Sequence, residues 1–179
     1  MTEASGGLLR RGLKVRQSRR YAGTVTPAGT TVSMNGTGVN EQLAGALAAE
    51  EAAIYAYGTI GVRLTADRDR TEARAAEAAH RNRRDTVVSR LDELSASAAP
   101  APAGYTLPYP VTDRASALRL AVDVEEGVAA AWRVVLPVTV DADRSAALAA
   151  LTDAAVRATR WRRIAGVTPI TVPFPGKPD

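Results

Sequence analysis

Apolar residues recur at three- and four-residue steps in four stretches of the chain, and each stretch predicts an amphipathic helix. The first spans about 41–64, with Leu43, Leu47, Ile54, Tyr57 and Leu64 on one stripe and Asn40 placed to cap its start. The second spans about 71–94, with Val87, Leu91 and Leu94 marking its stripe. A third begins after the capping pair Thr112-Asp113, carries Leu118, Val122, Ala129, Trp132 and Leu136, and is stopped by Pro137. The fourth spans about 143–165, with Leu148, Leu151, Ala155 and Ala158 on one face and Gly166 as its C-cap. Each helix is about 22 to 24 residues and so ~35 Å long. Matched lengths predict an all-α four-helix bundle.

The connections are unequal. Short turns near 66–70 and 138–142 make the first and last pairs antiparallel hairpins. Between them, residues 95–111 hold Pro100, Pro102, Pro108 and Pro110. An extended polyproline-like segment of that length reaches ~50 Å, enough to cross the bundle and start the third helix at its far end. Such a long Pro-rich crossover between helices 2 and 3 is the connectivity of ferritin-like bundles. Tyr105, Leu107, Tyr109 and Val111 alternate along it, so it is expected to lie on the helices. After Gly166 the prolines forbid a helix, and Ile170, Val172 and Phe174 predict an extended tail (167–179) that packs on the bundle (39–166).

Residues 1–38 lack either periodicity and read as a flexible basic leader. Residues 1–33 carry a net +5, which leaves −1 for the rest of a chain whose formal charge is +4. The high pI therefore belongs to the leader. A basic arm at residues 10–20 suits RNA, DNA or an anionic surface. Alternatively Met34, just before the first helix, is the natural start. Of the 23 basic residues only Lys14 and Lys177 are lysines, and with so much alanine this reads as a coding bias. The chain has no cysteine, no apolar run that spans a bilayer and no signal-peptide pattern. A cytoplasmic location is expected, without disulfide or thiolate chemistry. Neither a Gly-rich phosphate loop, a nucleophile elbow nor a catalytic triad is present.

Charged groups fall on the predicted inner faces near mid-helix. Glu50 lies on the first stripe, with Glu51 beside it. Extending the second stripe backwards adds Arg84, His80 and Glu77, and the third includes Glu125, next to Glu126. Buried ions must be paired or metal-bound. Carboxylate bundles that hold two metal ions take one Glu from each of two helices and a Glu-x-x-His from each of the others. Glu77-Ala-Ala-His80 has that spacing, and Glu50 and Glu125 match the single glutamates. The fourth helix departs from the pattern: it offers Asp153-Ala-Ala-Val156 and then Arg157, and His80 is the one histidine of the chain. The ion-pair alternative puts Arg84 or Arg157 in place of a metal.

In these residues the chain resembles the ferritin-like superfamily. More closely it resembles an actinobacterial group of ferritin-like proteins catalogued as a domain of unknown function. That resemblance rests on Leu47-Ala-Ala-Glu-Glu-Ala-Ala-Ile-Tyr-Ala-Tyr-Gly58, Ala79-His-Arg-Asn-Arg-Arg-Asp85, Tyr105-Thr-Leu-Pro-Tyr-Pro-Val-Thr-Asp113 and Arg160-Trp-Arg-Arg-Ile-Ala-Gly-Val-Thr-Pro169. It covers about 39–175 and implies the fold without an activity. The expectation is a non-catalytic structural or interaction protein that forms a homo-oligomer through an Ala-rich face, with a degenerate metal site and no cofactor. One alternative is an oxidase or iron-handling protein binding iron or manganese at Glu50, Glu77, His80 and Glu125. The other is a nucleic-acid-associated protein.

Overall fold

A computed structural model describes residues 36–177 except Ala98. The basic arm, the Met34 start and most of the leader lie outside the described residues. The described chain forms four helices, α1 (Gly36–Arg63), α2 (Asp67–Glu93), α3 (Arg114–Val135) and α4 (Asp141–Ala165). A 3-10 turn at Leu136–Val138 follows α3. The protein is thus an all-α four-helix bundle, with no strand among the described residues.

α1 and α2 begin a turn or more earlier than the periodicity predicts, and α4 two residues earlier. Val39 packs against the core one turn before Leu43, so α1 extends back to Gly36 and Asn40 lies inside it rather than at its cap. At the start of α2, Asp67 and Asp69 offset the helix dipole although Ala66 gives no side-chain cap. Buried Asp69 also receives Arg114 from the start of α3 at 2.6 Å. The α3 start is a capping box: Ser116 N–H donates to Asp113, and Ser116 Oγ accepts from the Asp113 backbone N–H. Gly166 ends α4 at φ 68°, where a side chain is disfavoured.

Side-chain partners give the helix directions. Tyr57 meets Glu125 and Glu50 meets Trp132, so α1 and α3 are antiparallel. Arg90 meets Asp143, Arg83 meets Asp153 and Glu72 meets Arg160, so α2 and α4 are antiparallel too. Backbones pack closely between α1 and α2, α1 and α3, and α3 and α4. The α2–α4 seam is wider, and these three ion pairs span it.

Residues 94–113 join α2 to α3. The rings of Tyr105 and Tyr55 lie 5.3 Å apart, Tyr109 donates to Asp123 at 2.8 Å, and the carbonyl of buried Val111 accepts from Arg63 at the end of α1. In the tail, Ile170, Val172 and Phe174 stay exposed. The tail touches α3 instead through Pro175, whose carbonyl accepts from Arg133, and through Gly176. A β-carbon at Gly176, where φ is 74°, would stand 2.5 Å from the Ala129 carbonyl oxygen.

The apolar core has two clusters. One gathers Leu43, Leu47, Val87, Leu91, Val128 and Trp132. The other gathers Tyr57, Ile60, Leu64, Leu118, Leu120 and Trp161. Polar side chains lie between them. Among the described residues no helix is long and apolar enough to cross a membrane.

Candidate functional site

Glu50 from α1, His80 from α2 and Glu125 from α3 are each fully buried and meet at the centre of the bundle. His80 bridges the carboxylates. Its Nδ1 lies 2.6 Å from Glu50 Oε2, and its Nε2 lies 3.2 Å from Glu125 Oε1. A ring facing a carboxylate on both sides is satisfied as the imidazolium, which donates from both nitrogens, and Arg83 Nη2 stands 3.0 Å from the same Nδ1. Burial pulls the His80 pKa down, but the hydrogen bonds to Glu125 and Glu50 outweigh it and hold the pKa above its ordinary value. Burial likewise pushes the Glu50 carboxyl up, and the bond from His80 with the charge of Arg83 brings it below the usual range.

The other contacts come from large side chains that point inward. Trp132 Nε1 donates to Glu50 Oε1 at 2.6 Å, and Arg83 Nε donates to the same oxygen at 2.8 Å. Arg83 also pairs with Asp153, which in turn accepts from Arg157 Nε at 3.1 Å. Across the layer, Tyr57 donates to Glu125 Oε1 at 2.6 Å and accepts from Trp161 Nε1 at 2.8 Å. Burial and the neighbouring Glu125 raise the Tyr57 pKa well above its ordinary value, so the phenol keeps its proton. With His80 protonated, three cations (His80, Arg83, Arg157) face three carboxylates (Glu50, Glu125, Asp153). Four helices are thereby tied by one hydrogen-bonded chain. Glu125 Oε2 is its loose end, buried without a hydrogen-bond partner among the described residues.

The remaining residues singled out from the sequence lie elsewhere. Glu77 pairs with Arg81 at 2.6 Å on the flank of α2 and borders a shallow pocket with Gly58 and Gly61. Arg84 pairs with its neighbour Asp85, and Arg83 takes the inward position expected of it. Arg157 is buried, but reaches the cluster through Asp153 rather than by contacting a glutamate there. Glu51 accepts from Tyr105, and Glu126 pairs with Arg162. Among the described residues, no three His, Asp or Glu side chains stand where they could hold a metal ion. Arg83, Trp132 and Trp161 join the site without being expected there from the helix spacing. The signal for the tryptophans was available: a buried indole N–H needs an acceptor, and each falls on a core stripe close to a buried acid or phenol.

Residues 42–179 match the model of a family described as Domain of unknown function (DUF4439). No curated protein matches the chain. Among solved structures, a conserved hypothetical protein from Mycobacterium tuberculosis is similar, with 43% sequence identity and a TM-score of 0.70. The match covers 79% of this chain and 99% of that one. With a family model spanning most of its length and a relative this similar over the same fold, the chain belongs to the DUF4439 family.

Proposed function

We propose that this chain is a non-catalytic, ferritin-like helical scaffold in which a network of ion pairs stands where a metal-binding bundle of this type holds its ions. The ferritin-like assignment is supported by helix direction. A simple up-down-up-down bundle makes α1 and α3 parallel, whereas here they run antiparallel.

The observation that carries the scaffold reading is saturation of the donor atoms. Of the four carboxylate oxygens of Glu50 and Glu125, three already face protein donors: Arg83 and Trp132 on one, His80 on the second, His80 and Tyr57 on the third. A guanidinium on Glu50 also repels a cation. These residues do not fit a two-metal carboxylate centre, because α4 supplies the Asp153–Arg157 pair and Glu77 is turned away. The layer's role is then structural. Paired buried ions are a means of fixing which helix faces which.

One atom favours a second reading. Glu125 Oε2 is buried without a hydrogen-bond partner among the described residues, and a single iron or manganese ion there would draw on Glu125, with His80 as a ligand only after losing its Nε2 proton. Metal content separates the two. The full chain, made without a histidine tag in medium supplemented with iron, manganese and zinc, is expected to carry far less than one equivalent of any of them. One equivalent that survives Glu77→Ala but is lost in Glu125→Ala overturns the scaffold reading.

A further inference from the structure

The outward face of α4 is a palindrome in chemical type. Thr152 sits near the middle of the helix. Four residues to either side are Leu148 and Val156, seven to either side are Ser145 and Thr159, and eleven to either side are Asp141 and Arg163. At 100° per residue Ser145, Leu148, Thr152, Val156, Thr159 and Arg163 fall on one stripe within about 40° of Thr152, ~27 Å from end to end; Asp141, the first residue of α4, has φ 46° and stands just before it. The stripe faces away from the bundle: Leu148 is 52% and Val156 43% exposed.

An antiparallel second helix centred on Thr152 would match like with like along the stripe and Asp141 with Arg163, while Arg144 faces Arg160 at its edge. Leu148 meets Val156 of the other copy, Ser145 meets Thr159, and Asp141 meets Arg163. Alanines 149 and 155 flank the centre and let two backbones approach. The hydroxyls along the stripe are already satisfied. Ser145, Thr152 and Thr159 each donate to the carbonyl four residues back, at 2.9, 2.8 and 3.0 Å. The other arginines of this surface are engaged elsewhere, Arg144 with the Leu136 carbonyl and Arg160 with Glu72. Neither Asp141 nor Arg163 forms an ion pair with a described residue.

The two halves of the stripe also differ in relief. Val156, Thr159 and Arg163 line a groove of about 560 Å³ between α4 and Thr171, Val172 and Pro175 of the tail. Leu148 projects from the other half. A two-fold axis through Thr152 places each projecting half in the other copy's groove, which is the self-complementarity a closed homodimer requires. A lone helix pair falls short of the ~800 Å² per partner that stable dimers bury. The exposed Ile170, Val172 and Phe174 beside the groove widen the patch.

We infer that the outward face of α4, with the flanking tail, binds a second copy of this chain through an antiparallel, two-fold α4–α4 interface. This names the partner in the scaffold reading above and rests on that reading. It is tested by mass and cross-linking, so its failure leaves the metal result standing, and the reverse holds too.

The chain has no cysteine, which makes a single introduced thiol a clean probe. Thr152→Cys, next to the axis, should oxidise to a disulfide-linked dimer of the full chain. Thr86→Cys is the control, since Thr86 is also an exposed helical threonine bonded to the carbonyl four residues back. In light-scattering measurements from about 1 to 100 µM, the full chain should have twice its 18.8 kDa mass. Arg163→Asp should weaken the dimer about tenfold or more, and Asp141→Arg in addition should restore it. Circular dichroism confirms that each variant is folded. A monomer throughout that range, or equal cross-linking at positions 152 and 86, overturns the inference. So does a folded double variant as weak as Arg163→Asp alone.

Discussion

Arg83 links buried Glu50 on α1 to Asp153 on α4 from its own place on α2. Replacing it with methionine keeps much of the packing and removes the charge. Glu50 then keeps His80 and Trp132 but loses its fixed cation. Breaking a buried pair from one side costs about 3 kcal/mol or more, and urea denaturation of Arg83→Met should show a loss of that order. His80 adds a dependence on pH. The groups facing it are Glu50, Glu125, Arg83 and the ring of Tyr57. Its pKa is raised on folding from an ordinary 6.5. The stability it brings is therefore complete below that value and lost as pH rises through the folded one. Glu50 has the opposite sign: its pKa is lowered from 4.5, so its contribution is complete above that value and lost as pH falls through the folded one. Stability should peak in mildly acidic solution, between about pH 4.5 and 6.5. His80→Gln should remove the decline on the alkaline side and leave the acid limb, and a series of denaturation curves in buffers across that range checks both.

At the scale of elements, α4 shows where periodicity stopped being informative. Its expected core stripe of Leu148, Leu151, Ala155 and Ala158 is displaced by about one residue. The buried face is Ala147, Ala150, Ala154, Ala158 and Trp161. Alanine lies on both sides of this helix, and the small residues let α3 approach closely while Leu148 turns outward. The same ambiguity explains Arg83 and Arg84. In α2 the alanines on either side of Glu77 leave the phase to be set by His80, Val87 and Leu91, which turn Arg83 inward. Where large residues repeat, as in α1 and α3, the inner faces are largely legible: Leu43, Leu47, Glu50 and Tyr57, and Leu118, Val122, Glu125, Ala129 and Trp132, are buried, while Ile54 and Leu136 are only half-buried. The tail has its own determinant. A methyl group at position 176 would collide with backbone rather than with a movable side chain. Gly176→Ala should free the C-terminal segment while sparing the bundle, seen as rapid proteolytic trimming after α4 with little change in the helical signal.

Across the whole molecule, helix number, approximate length and the meeting of Glu50, His80 and Glu125 could be read from spacing, since each depends on local periodicity and mid-helix position. The partners that complete the layer could not. Arg83 to Asp153 and Trp161 to Tyr57 are matches between distant parts of the chain that only the helix arrangement brings together. Those matches have an optical consequence. The chain holds two tryptophans, and both indoles donate into the polar layer, Trp132 to Glu50 and Trp161 to Tyr57. No third indole dilutes the signal. Protonation of a carboxylate, rotation of the phenol or opening of the α2–α4 seam changes the field on a fluorophore in direct contact with the event. The intrinsic emission of the unlabelled protein is thus a built-in gauge of its own centre, with one lamp on each side of His80.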